Sequence, residues 1–80
     1  MIFKTLDALP GFVVKPDVKP IDGYFVLQDY RFTIIYNNVS KSQFTRGFEV
    51  LWGFNGSTVS VAFKELDDVV RYVQLIRSIG

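Results

Sequence analysis

Acid–base catalysis needs two ionisable groups held face to face. The only adjacent carboxylates in this 80-residue chain are Asp67 and Asp68. They fall where a helix is expected to begin, and neighbours on a helix project about 100° apart, so they do not converge on one substrate atom. Carboxylates in a first helical turn are accounted for by the helix dipole, which favours negative charge there. Glu49 and Asp29 could join such a pair in principle, but nothing in their spacing asks for it. A Ser-Lys nucleophile could be drawn from Ser40, Lys41 and Ser42, yet a polar loop tip of this kind is ordinarily solvated. The chain has no cysteine and no histidine. Disulfides, zinc sites of the usual Cys/His kinds and every Cys- or His-assisted nucleophile are thereby removed. There is no Gly-rich phosphate loop, since "GFNGS" joins two strands and is not followed by a helix. The residues assemble no catalytic site, no metal site and no cofactor site, and the expectation is a protein that is not an enzyme.

Aromatic rings beside basic side chains are the other chemistry on offer. Proteins that hold single-stranded nucleic acid stack bases on strand-borne rings and line the groove with cations. Arg31, Lys41 and Arg46 could line one edge here, with Tyr30, Tyr36 or Phe44 near enough to stack. The order of several strands followed by one helix resembles that of the whirly-type single-strand binders, in element order alone. Against this stands the charge: nine basic and eight acidic side chains leave a net +1, so no strong attraction to phosphate is expected. Single-stranded nucleic-acid binding is the alternative reading.

The elements that would position these residues can be read from punctuation and periodicity. Residues 2–9, "IFKTLDAL", are expected to open with a short strand and make one helical turn capped by Thr5, stopping at Pro10-Gly11. "VVKPDVKPIDG" is an extended connector, because each proline fixes its own φ and pushes the preceding residue out of the helical region. It ends in a turn at Asp22-Gly23. From Tyr24 to Tyr36 the chain is β-branched and aromatic, a hairpin with its turn at Gln28-Asp29. In that register Phe25 faces Phe32 and Leu27 faces Tyr30, with Ile34 on the same side. A polar loop follows. Residues 47–63 form a second hairpin about Asn55-Gly56, the pair that a type I′ turn prefers. Counting from that turn pairs Phe54 with Ser57, Trp52 with Val59, Val50 with Val61 and Phe48 with Phe63. Strand alternation then puts Trp52, Val50, Phe48, Val59, Val61 and Phe63 on one face. Glu49, Leu51, Gly53, Thr58, Ser60 and Ala62 take the other.

The oily face needs a cover. Residues 65–79 supply it, with apolar side chains at 66, 69, 70, 73 and 76 in a helical stripe. Arg77 lies in the last turn and Gly80 is placed to close the end. The predicted architecture is α+β: an antiparallel sheet of four to five strands, from hairpins 24–36 and 47–63, with one C-terminal helix on one face. All 80 residues form one domain.

Two apolar surfaces remain after that accounting. Val26, Ile35 and Leu51 lie among small polar residues on the uncovered face, with Phe54 at the hairpin tip. Tyr72, Leu75 and Ile79 widen the helix's apolar arc beyond what one sheet covers, so either the amino-terminal segment or another chain packs there. Sixteen per cent aromatic residues in so short a chain is also more apolar surface than one small core uses. The expectation is a protein-interaction module of adaptor or inhibitor type, such as phages and other mobile elements make. It would occlude a macromolecular surface, its partner another protein or a second copy of itself in a homodimer. No apolar run approaches the roughly 18 residues of a membrane span, and "MIFKTLDALPGF" does not read as a secretory signal. A cytoplasmic protein is expected.

Overall fold

The computed structural model describes residues 1–39 and 46–79. Helix α1 (Ile2–Ala8) leads into five strands, β1 (Val13–Val14), β2 (Tyr24–Gln28), β3 (Phe32–Asn37), β4 (Gly47–Phe54) and β5 (Ser57–Phe63), and the chain ends in helix α2 (Leu66–Ile79). The strands lie side by side in sequence order, each antiparallel to the next. This is the predicted α+β class: a five-stranded antiparallel sheet with a C-terminal helix on one face, and a short helix added at the start.

The second hairpin has the register that its turn dictates. Asn55 and Gly56 both take positive φ, 51° and 78°, as a type I′ turn requires. Phe48 lies opposite Phe63, Val50 opposite Val61, Trp52 opposite Val59 and Phe54 opposite Ser57. Where β4 begins, Gly47 has φ 116°, and a Cβ added to it would stand 2.6 Å from the Phe63 carbonyl oxygen. Only glycine satisfies both that backbone angle and that approach.

The first hairpin turns two residues later than the sequence implied. Phe25 pairs with Tyr36, Leu27 with Ile34 and Gln28 with Thr33. Asp29 is the reason. Its Oδ1 accepts hydrogen bonds from the backbone N–H groups of Arg31 (2.8 Å) and Phe32 (2.6 Å), and its own N–H donates to the Phe32 carbonyl. The turn is thus built around an aspartate that mimics a backbone carbonyl. An even slip preserves the alternation, so Phe25, Leu27, Phe32 and Ile34 still share the inner side, whereas Tyr30, expected opposite Leu27, falls in the turn and is 90% exposed.

The opening segment departs further from expectation. Residues 2–8 are helical throughout, and Thr5 is not a cap. Thr5 is fully buried mid-helix and its hydroxyl donates back to the Met1 carbonyl at 2.9 Å. Ile2, Leu6 and Leu9, spaced four and three apart, reach the core from one face of α1. That contact outweighs the local β preference of Ile2, Phe3 and Thr5. The proline-rich connector contributes the edge strand β1 before Pro16, and its predicted turn at Asp22-Gly23 is closed by Ile21 and Tyr24.

The core is a single layer between sheet and helices. Phe32, Ile34, Val50, Val69 and Val73 are at most 1% exposed, with Leu9, Phe12, Leu27, Phe48 and Ile76 around them. The far end of α2 is pinned by charge. Arg77 donates to Asp29 Oδ2 at 2.7 Å and to the Pro10 carbonyl at 3.3 Å, and its guanidinium lies 5.2 Å from the Phe12 ring. Burial pushes the Asp29 carboxyl up, but the bonds from Arg77 and from the Phe32 and Arg31 N–H groups outweigh it and hold the pKa below its usual value. A depressed folded-state pKa contributes stability above the unfolded value, and that stability is lost as pH falls through the folded one. Asp29→Ala is therefore expected to cost about 3 kcal/mol at neutral pH, in the range for removing one partner of a buried pair. In urea unfolding followed across pH, the gap to the native protein should narrow below about pH 4.

Candidate functional site

Among the described residues the helices lie on one side of the sheet only, and much of the other side is exposed. Cross-strand register arranges its side chains in two rows. One runs Val26, Ile35, Glu49, Ala62, and the next Gln28, Thr33, Leu51, Ser60. Ile35 and Leu51 are half-buried and stand near the middle of this face, while Thr58, Ser60 and Ala62 are exposed. A shallow depression of about 350 Å³ is lined by Arg31, Thr33, Ile35, Leu51, Trp52, Gly53 and Thr58. A second, of about 260 Å³, runs from Ile35 past Glu49 and Ala62 to Arg46. Ile35 belongs to both. The face is thus a low, mostly neutral surface with a central aliphatic ridge and an arginine toward each end.

Val26 does not contribute to that surface as the other two do. It is only 4% exposed, although it lies outside the inner core cluster. The register explains part of this: Val26 pairs with Ile35 on one side, and its carbonyl accepts the Lys15 N–H on the other. Alternation places a residue on a face but does not report what the neighbouring chain covers.

The helix flank divides as well. Tyr72 is held inward: its hydroxyl accepts the Trp52 indole N–H at 2.8 Å, and its ring lies 5.3 Å from that of Phe63. Leu75 and Ile79 stay 55% and 74% exposed. The amino-terminal segment does not cover them, because it meets α2 on the Arg77 side. Phe54 at the hairpin tip is 56% exposed, its ring edge-on to Trp52 at 5.8 Å.

Among the described residues, those considered for nucleic acid do not gather into one groove. Arg31 lies at the β2–β3 turn, with its Nη1 on the Ile76 carbonyl at 3.3 Å and its guanidinium 5.4 Å from the Trp52 ring. Tyr36 faces inward between Phe25 and Phe48, at 4.9 and 4.8 Å. Arg46 sits at the opposite end of the sheet from Arg31, beside the start of β4. Lys41, Phe44, the rest of the Ser40-Lys41-Ser42 group and the capping Gly80 lie outside the described residues. Tyr30, at the tip of the first hairpin, is 90% exposed.

The carboxylates are dispersed too. Asp29 is tied to Arg77, Asp68 pairs with Arg71 at 2.7 Å, and Glu49 stands on the open face. Among the described residues, no three acidic side chains come together as metal ligands would, and no helix is long and apolar enough to cross a membrane. One recess went unread in the sequence. About 320 Å³ in volume, it brings Met1, Lys4, Arg46 and Lys64 beside Glu65 and Asp67 where α2 begins. Its residues come from four separate stretches, so no local pattern marks it, and its mixed charges select no ligand of one sign.

Comparison with protein families, with characterised proteins and with solved structures finds no match to this chain. The surfaces themselves therefore carry the functional argument.

Trp52 is the chain's single tryptophan, so it reports directly on how the helix flank is held. Tyr72→Phe removes the acceptor of its N–H and is expected to cost about 1 kcal/mol, the usual net worth of one such bond. A shift in tryptophan emission should accompany the loss, with the sheet retained by circular dichroism.

Proposed function

We propose that this protein is a non-enzymatic protein-interaction module of adaptor or inhibitor type, acting by laying its open sheet face against a surface of another protein. One observation carries the reading: a face of small side chains around the half-exposed Ile35 and Leu51, which neither helix covers. Solitary aliphatics on a surface are ordinary. Here two of them adjoin shallow depressions on a flat support with little charge between, which is the make-up of an interface centre and not of its rim. The rigid sheet beneath adds to the case, because a preordered surface loses little entropy on binding.

Single-stranded nucleic acid is less well supported. Arg31 and Arg46 stand at opposite ends of the sheet, and the stacking residue Tyr36 is packed between two phenylalanines.

Leu51→Asp separates these readings. The side chain is half-exposed and its partners across the strands are Thr33 and Ser60, so the fold should survive, as judged by an unchanged thermal transition. Used as bait in extracts of the native source, the wild-type protein should retain a protein that Leu51→Asp loses by tenfold or more. Equal retention by both would exclude the open face. Labelled single-stranded DNA should not bind at low salt; binding that weakens steeply with added salt would favour the nucleic-acid reading instead.

A further inference from the structure

The two edges of the sheet are not alike. β1 is two residues long and runs into Pro16, which blunts it as an edge. β5 is seven residues long, pairs among the described residues with β4 alone, and contains no proline, no charged residue and no bulge. The protections that usually keep an edge strand from pairing are missing.

The hairpin register says which backbone groups are unpaired. A two-residue turn closes on a hydrogen-bonded pair, here Phe54 with Ser57, and such pairs then alternate along the ladder. Ser57, Val59, Val61 and Phe63 direct their N–H and C=O groups to β4. Thr58, Ser60 and Ala62 direct theirs outward, and their side chains are exposed.

We propose that β5 pairs antiparallel with β5 of a second copy of this chain, about a two-fold axis through Ser60, to give one continuous sheet across the dimer. The occupant is indicated by the strand's own sequence. Thr58-Val59-Ser60-Val61-Ala62 reads nearly the same in both directions, as an isologous strand pair requires. Ser60 would meet Ser60 of the other copy. Val59 would meet Val61, and Thr58 would meet Ala62, so that the central pairs are alike or both small and no like charges face each other. The outward groups of 58, 60 and 62 fall into hydrogen-bonding pairs in this register and no other centred on the strand. On the helix side the same pairing brings Phe63 of the other copy across from Ser57, next to the exposed Phe54 and the half-exposed Val59. It thereby covers apolar surface that α2 leaves bare. This contact uses the sheet edge and leaves the open faces of both copies side by side, so it stands independently of the open-face reading.

Sedimentation equilibrium should give twice the 9.2 kDa of one chain, falling to the single mass on dilution. The Ser60 N–H points away from β4, so Ser60→Pro keeps the hairpin and removes a donor at the axis; it should halve the mass, whereas Leu51→Asp should not. The reverse outcome would place the dimer on the open face and overturn the edge. Should Ser60→Pro fail to fold, Ser60→Lys and Ser60→Glu decide the matter: each alone should be monomeric, and an equimolar mixture should recover the doubled mass. Amide exchange gives an independent readout, with the N–H groups of Thr58, Ser60 and Ala62 slowing as protein concentration rises. A wild-type chain that stays monomeric at hundreds of micromolar, or exchange at these amides that ignores concentration, would refute the proposal.

Discussion

The whole molecule depends on one seam, where Val69, Val73 and Ile76 of α2 press on Phe32, Ile34 and Val50 of the central strands. A chain of this length can bury only one apolar layer, and this is it. Sheet and helix each present an oily face that is unstable in water without the other, so neither is expected to persist alone. The one-sidedness of the protein follows. With the helices spent on the inner face, much of the outer face is made of side chains that tolerate water, Thr33, Glu49, Thr58 and Ser60 among them, around Ile35 and Leu51.

Charge serves this seam more than it serves any ligand. Arg77 reaches both Asp29 and the Pro10 carbonyl, joining the end of α2 to the first hairpin turn and to the segment after α1. Arg31 adds a bond to the Ile76 carbonyl, one of the groups that a helix end leaves without an intrahelical partner. These arginines act as clamps between elements that share few other polar contacts. Their guanidiniums, flat and able to lie on rings while donating sideways, suit the task better than lysines would. Arg31, which in sequence looked available to phosphate, is in this way engaged within the fold.

Among the described residues, the surfaces that could meet another molecule include a flat face, a strand edge and a few exposed apolar residues beside it. Such surfaces act by shape and by backbone pairing. On the proposed reading such a protein would affect its partner by where it sits, and an extended sheet formed by two copies would present a broader platform than either copy alone.

Much of this was legible in the residues. Asn55-Gly56 determines its turn because two successive positive φ angles admit few other residues, and the turn in turn determines the register of fourteen side chains by counting alone. The stripe of α2 was equally plain, since long helical periodicity has no competing reading. The sequence also assigned inner and outer faces correctly in the first hairpin while misplacing its turn, because a slip of two positions preserves the alternation. Only the tertiary structure decided the rest. Asp29 builds the turn through its Oδ1, and Arg77, forty-eight residues away, holds its other oxygen in place. Residues 2–8 became a helix because Ile2, Leu6 and Leu9 find the core from one face, a benefit that local propensity cannot register. Val26 is buried and Tyr72 held inward by neighbours that no pattern along the chain reveals. Local geometry is written in adjacent residues; the competition between distant contacts is settled only when the chain closes on itself.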